Sequence, residues 1–324
     1  MTMNLNNRCV PSNRITWTGI GFGCLLALSA TLGASFGHAA TAGPQTFATP
    51  DAAADALIAA ARAGDPAALI AVLGEDASPL VSSGDDVADA TARERFVEQY
   101  DTAHNLAADG DGKFTLEVGE DEWPVPIPIV KVGDDTWSFD IDAGIDELVY
   151  RRIGRNELGA IETCRGIVDA QKDYASQGHD GLPAGIYALK LVSDAGKHNG
   201  LYWKSAPDER ASPVGPFIAE AAAEGYRATG TAQKPAPYHG YIYRLLKAQG
   251  PAASGGARSY LDKGQLTGGF AVVAYPVDYE SSGVETFIIN QDGVLYQKNL
   301  GADTEKLAAA IDAFNPDATW TKVD

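Results

Sequence analysis

From Gly144 to Ser176 the apolar residues Ile145, Val149, Ile153, Ile161, Cys164 and Val168 return every three or four positions. Glu157 and Gln171 keep the same register, and Leu148, Leu158 and Ile167 widen the stripe. That period predicts one long helix. At 1.5 Å per residue, about 33 residues reach roughly 50 Å, enough to join two packing units, and Gly154 and Gly159 mark where the rod can bend or break. The remaining sequence must therefore supply cover at both ends of one rod.

Residues 43–143 read as the first unit. Thr49 caps a helix with Ala54, Leu57, Ile58 and Ala61 on one face, Gly64-Asp65-Pro66 stops it and opens a second, and Gly74 ends that one. A third helix is predicted from Asp89 to Leu106, broken by Asp109-Gly-Asp-Gly112. Lys113–Val118 and Thr136–Ile141 alternate like half-buried strands, while Pro124, Pro126 and Pro128 between them predict an edge or an extended arm. Residues 144–324 read as the second unit. Strands are predicted at 186–192, 241–246, 269–275, 284–289 and 294–297, the last two joined by an Asn290-Gln-Asp-Gly293 hairpin. Helices are predicted at Val214–Glu224 and Asp303–Phe314. The fold class is α+β, two modules joined by a long helix.

Residues 1–42 read as a signal peptide: Arg8 and Arg14 precede the apolar run Ile15–Leu32, and Ala40-Thr41-Ala42 offers a cleavage site. A retained anchor is the other reading, weakened by the Thr, Gly and Ser in the run. Cleavage leaves no stable membrane span and predicts a periplasmic or secreted protein. The formal net charge of −18 falls by two more once both Arg leave. Such a chain repels phosphate backbones, and nucleic acid is excluded as a partner. Of the three Cys only Cys164 lies beyond the segment, which leaves no internal disulfide.

Arg151, Arg152, Arg155, Asn156 and Glu157 form the densest polar cluster. They read either as a grip for a carboxylate, phosphate or acidic glycan, or as an ion-pair network between the modules, which the acidic composition favours. Asp109-Gly-Asp111-Gly and Asp140-Ile-Asp142 lack the spacing of a calcium loop. Cys164 lies on the apolar stripe and reads as a packing thiol. His179, His198 and His239 are too scattered for a zinc motif, so neither metal nor cofactor is predicted. Tyr202-Trp203 and Tyr238, His239 and Tyr241 are the aromatic candidates for a ligand-facing surface, with core packing as the plainer reading. No recognised nucleophile, metalloprotease or P-loop motif follows residue 42.

Around Arg151-Arg-Ile-Gly-Arg-Asn-Glu157 the chain resembles an exported bacterial family, the domain of unknown function numbered 2950. The resemblance extends through Trp123-Pro-Val-Pro-Ile-Pro128, Trp137-Ser-Phe-Asp140, Asp169-Ala-Gln-Lys-Asp-Tyr174, Gly200-Leu-Tyr-Trp203, Ser212-Pro-Val-Gly-Pro216, Pro237-Tyr-His-Gly-Tyr241, Gly268-Gly-Phe270, Thr286-Phe-Ile288 and Phe314-Asn-Pro-Asp317. It implies no established activity. Where the family usually has an Asp-rich stretch, this chain has Ser176-Gln-Gly-His-Asp-Gly181, which argues against a metal there. The second half also looks like the globular part of type IV pilins, although a whole module separates Ile15–Leu32 from the long helix, against assembly by the usual route. The function expected is a non-catalytic envelope module binding a protein or glycan through its aromatic and Arg surfaces. The other expectation is a hydrolase at the module junction, with His239 as general base and Arg152 and Arg155 stabilising an anion.

Overall fold

The fold is described from a computed structural model, over residues 43–205, 211–215, 221, 226 and 236–323. Thr49 Oγ1 accepts from the Ala52 N–H (3.1 Å) to open α1, Pro50–Ala63, and Asp65 Oδ1 accepts from Ala67 N–H (3.0 Å) to open α2, Pro66–Leu73. Gly64 ends α1 in the left-handed region at φ 69°, a conformation open to glycine because it has no Cβ. A short α3, Ser78–Val81, leads into α4, Asp86–Thr102.

The third helix therefore stops four residues before its predicted end. His104–Ala108 is strand β1, paired antiparallel with β2, Lys113–Val118, through the Asp109–Gly112 turn. The Tyr100 and His104 rings, four positions apart, remain stacked 3.7 Å apart across the helix end. Strand β3, Trp123–Pro124, also pairs with β2. Next come β4, Ile129–Gly133, and β5, Thr136–Phe139, giving the order β1-β2-β4-β5 with β3 off the path. As expected of a proline run, β3 is an exposed edge segment that among the described residues pairs with β2 alone, and Pro126 and Pro128 lie outside any strand. β3 and β4 both pair with β2, and the prolines lack the N–H groups that would have joined them into one strand. Leu57, Ile58, Leu73, Leu116, Ile129 and Phe139 fill the core of this half.

Helix α5, Ile145–Ala175, runs unbroken through Gly154 and Gly159. Short parallel strands β6, Lys190–Val192, and β7, Gly200–Tyr202, flank it; the strand predicted at 186–192 survives only at its end, with Tyr187 making a single bridge to Leu266. β8, Tyr241–Leu246, is followed by the two-residue strands β9, Ala248–Gln249, β10, Arg258–Ser259, β11, Leu261–Asp262, and β12, Gln265–Leu266. β13, Ala271–Pro276, β14, Glu285–Asn290, β15, Leu295–Asn299, and β16, Thr321–Lys322, complete an antiparallel sheet of order β16-β15-β14-β13-β8. The predicted Asn290–Gly293 hairpin joins β14 to β15.

β13 is buried along its whole length because both faces are covered. Val272 and Ala274 join the core under α5, whereas Ala271, Val273 and Tyr275 join a second core with Ala308 and Phe314. The terminal helix α6 is shorter than predicted, Thr304–Ala309: Phe314 N–H donates to Ala248 O (2.9 Å), and Arg244 Nη2 donates to the Ala308 and Ile311 carbonyls (2.9 and 2.6 Å). Val214–Glu224 lies for the most part outside the described residues. Among the described residues no helix is long and apolar enough to cross a membrane.

Candidate functional site

Helix α5 delivers the polar cluster to the region where the two halves meet. Arg152 Nε donates to Ser281 O (2.9 Å), Nη1 to Leu80 O (3.1 Å), and Nη2 to Ser281 Oγ (3.0 Å) and to Pro79 O. A guanidinium has five N–H donors in a fixed fork, and most are here spent on the backbone of two distant segments. Burial pulls its pKa below the usual value, opposed by Asp89 and Asp278. One turn on, buried Asn156 donates to Ser282 O (2.9 Å), and Glu157 Oε1 accepts from the Val284 and Glu285 N–H groups (both 3.0 Å). Arg152, Asn156 and Glu157 therefore read one loop, 281–285, from one helix face.

The other two arginines point elsewhere. Arg151 pairs with Glu147 (2.8 Å) and lays its guanidinium over the exposed Trp123 ring, 5.0 Å from its centroid. Partial burial and the like charge of Arg95 lower the pKa of Arg155. The cluster is thus divided among a latch, a surface ion pair and a pair of like charges.

Buried Asp85 ties the same junction from the first module. Its Oδ1 accepts from Ala88 N–H (3.1 Å), capping α4, while Oδ2 accepts from Gly240 N–H (2.8 Å) and Tyr226 OH (3.0 Å). Gly240 follows His239 in a turn where both residues have positive φ, 73° and 49°, and Tyr238 and Tyr241 exchange backbone bonds, the geometry of a type I′ hairpin. His239 packs within a Tyr226–Tyr238 cluster and against Gly159 of α5. Tyr241 is fully buried and donates to Glu285 O (2.9 Å). His239 and Arg152 share the junction, but each is built into its packing.

Tyr202 and Trp203 lie at the opposite end of α5, about 30 Å away by helix rise from Arg152 to Asp173. There the structure assembles a group that sequence spacing had left scattered. His179 stacks on Tyr174 at 4.1 Å; its ring centroid is 6.5 Å from His198 and 5.5 Å from Trp203, and His198 lies 4.7 Å from Trp203. Asp180 accepts from His198 at both Nδ1 (3.0 Å) and backbone N–H (2.8 Å), which holds the imidazole as its Nδ1–H tautomer when neutral. His179 Nε2 faces the Tyr174 carbonyl at 3.0 Å; a carbonyl can only accept, so that nitrogen carries the proton.

Asp173, Gln177, Gly178, His179, His198, Trp203, Ala211 and Pro213 line a half-open cleft of about 130 Å³ at this place. The Trp203 indole N–H is buried without a hydrogen-bond partner. Tyr202 stands beside the cleft on β7 and is not among its lining residues. The signal for His179 and Asp180 was their place just past the helix end, where a chain reversal brings them back onto Tyr174. For His198 only its nearness to Trp203 in sequence pointed here.

Among the described residues no three His, Cys, Asp or Glu side chains gather as metal ligands. Cys164 is fully buried, and burial pushes its thiol up to about 12, the chemistry of a packing residue. No curated protein and no solved structure matches the chain. The family model described as a protein of unknown function matches residues 44–323, and the chain accordingly belongs to that family, DUF2950.

Proposed function

We propose that the protein is an exported, non-catalytic binding component of the cell envelope whose ligand surface is the cleft at the C-terminal end of α5. Export rests on the signal-like segment of residues 1–42. The observation that carries the binding reading is the pairing of an open cleft with aromatic rings held in place from behind. Trp203, His179 and His198 meet edge to face or tilted, Tyr174 backs His179, and Asp180 holds His198. Binding pockets combine apolar walls with a few oriented polar groups in this way.

The junction supports a hydrolase less well. A general base and an anion clamp must reach a reacting atom, whereas Arg152 is engaged by backbone carbonyls of residues 79, 80 and 281. Affinity capture with the purified protein from an envelope extract tests the reading, with bound proteins and glycans identified by mass spectrometry. A ligand retained by the native protein and lost with Trp203→Leu is expected. Equal retention by both, or turnover of an envelope metabolite abolished by His239→Ala, would overturn it.

A further inference from the structure

Apart from that cleft, we infer that the solvent face of α5 around Gly154 is a docking surface for an acidic segment of a partner protein. The two most exposed large apolar side chains among the described residues are Leu158 (70%) and Tyr150 (66%). They stand one turn to either side of Gly154, on one face of the helix and about 12 Å apart by helix rise. Beside them Trp123, 54% exposed, carries the Arg151 guanidinium over its ring. Exposed apolar side chains gathered in this way mark interaction sites, and Trp, Tyr and Arg are residue types that interfaces concentrate.

Gly154 itself has no task within the chain. Glycine is among the poorest helix formers, yet this one lies inside a helix that runs through it unbroken, with no left-handed φ to require it. A Cβ built there would meet nothing within 4 Å among the described residues, whereas at the next glycine of the helix, Gly159, it would meet His239 at 3.6 Å. Lacking a side chain, Gly154 leaves a notch between the tyrosine and the leucine. A side chain from outside the chain can reach the helix backbone there.

Charge decides what kind of partner fits. Arg155 follows the notch, and Arg95 of α4 is near enough to lower its pKa, although burial does so more. Neither arginine has an ion-pair partner among the described residues, in a protein whose formal net charge is −18. The acids of the same face, Asp146, Glu147 and Glu162, lie about a turn beyond Tyr150 and Leu158, and Glu147 is already paired with Arg151. The centre of the surface is therefore cationic and its ends are acidic. At physiological ionic strength a charge is felt over about 8 Å. A narrow acidic segment meets chiefly the two arginines, whose forks match its carboxylates. An extended anionic surface, such as a lipid bilayer, meets the whole acidic molecule. Two copies joined through this face about a twofold axis would set like arginines together.

The test selects a displayed random-peptide library on the purified protein and measures the enriched peptides, made synthetically, by calorimetry. Enriched sequences are expected to carry Asp or Glu within a few positions of an aromatic or aliphatic residue. Gly154→Leu fills the notch and Arg155→Glu reverses the charge, and each should weaken those peptides about tenfold or more, the loss of one good contact. Gly154→Leu should also raise the thermal unfolding midpoint, because leucine is the better helix former and its Cβ meets nothing within 4 Å. Its loss of binding is then no loss of fold. No enrichment, enriched sequences without acids, or binding indifferent to either substitution would overturn the inference. So would a dimer in sedimentation that Gly154→Leu dissociates, or binding to phosphatidylglycerol vesicles that it abolishes. The cleft lies about 22 Å further along α5 by helix rise from Leu158 to Asp173, and its reading stands or falls separately.

Discussion

Glu285 has one carboxyl oxygen buried without a hydrogen-bond partner, and its pKa is raised by burial and by the nearby Glu157. The folded state therefore keeps this proton at a pH where the unfolded chain has lost it. The stability that the proton contributes is full below the ordinary glutamate value and is lost as pH rises through the higher folded value. Asp89 is raised as well, chiefly by burial, so it adds a slope of the same sign above the ordinary aspartate value. Glu285→Gln keeps the shape and removes the charge. Unfolding by urea at a series of pH values should show a shallower decline above pH ~4.5 in the variant and a gain at pH 7 of under about 1 kcal/mol, since the group is half in water. A steeper decline would contradict this assignment.

Legibility at this scale depended on how local the partners are. Cys164 was read correctly as a packing thiol because its neighbours on the helix stripe are apolar. The destination of Arg152 was not legible, since its acceptors lie 72, 73 and 129 positions away. Spacing can place Arg152 on a helix face but cannot say what will be packed there.

Among the elements, the tight turn before β8 is the most constrained. Gly240 has φ 73°, and a Cβ built there would sit 2.5 Å from Asn156 Nδ2 and 3.1 Å from Ser282 Cβ. Gly240→Ala should destabilise the protein by about 2–3 kcal/mol, combining left-handed strain with a clash inside a packed polar contact. Ala at Gly181, also left-handed at φ 82° but with nothing within 4 Å, provides the control and should cost only about 1 kcal/mol. Equal losses measured by chemical denaturation would mean that the contact with Asn156 carries no weight.

Element types were legible where a cap or a period is local: Thr49 and Asp65 cap their helices, and α5 falls within a residue of its predicted ends. Boundaries failed where a partner strand competed. His104 continues the helical spacing from Tyr100, but pairing with Val118 draws it into β1. The proline run was legible for a local reason: a proline has no N–H to give a second neighbour, and among the described residues β3 pairs with β2 alone.

Across the whole molecule, residues 41–324 form one compact unit with separate apolar cores on either side of a polar junction. Arg152 and Asp85 cross that junction, binding residues 79–80 and 281, and 226 and 240. Removing the Arg152 side chain should loosen the first core more than the second, because the first has fewer other attachments to α5. In hydrogen exchange of Arg152→Ala, the amides of Leu116 and Ile129 should lose about 2–3 kcal/mol of protection and those of Val272 and Ile288 markedly less. A uniform loss would mean that the cores unfold together and that the latch holds neither in particular.

By itself the sequence determined the α+β class, the long rod, the net negative charge and the family. Each follows from interactions between residues a few positions apart or from composition summed along the chain. The tertiary structure decided what the polar residues do. It turned Arg152, Asn156 and Glu157 into a backbone latch, and it brought His179, His198 and Trp203 to one cleft with Asp180 holding His198. Those outcomes depend on contacts between segments that only packing brings together. A side chain's chemistry is set by the partners that use its hydrogen bonds, and a spacing in sequence does not say which partners arrive.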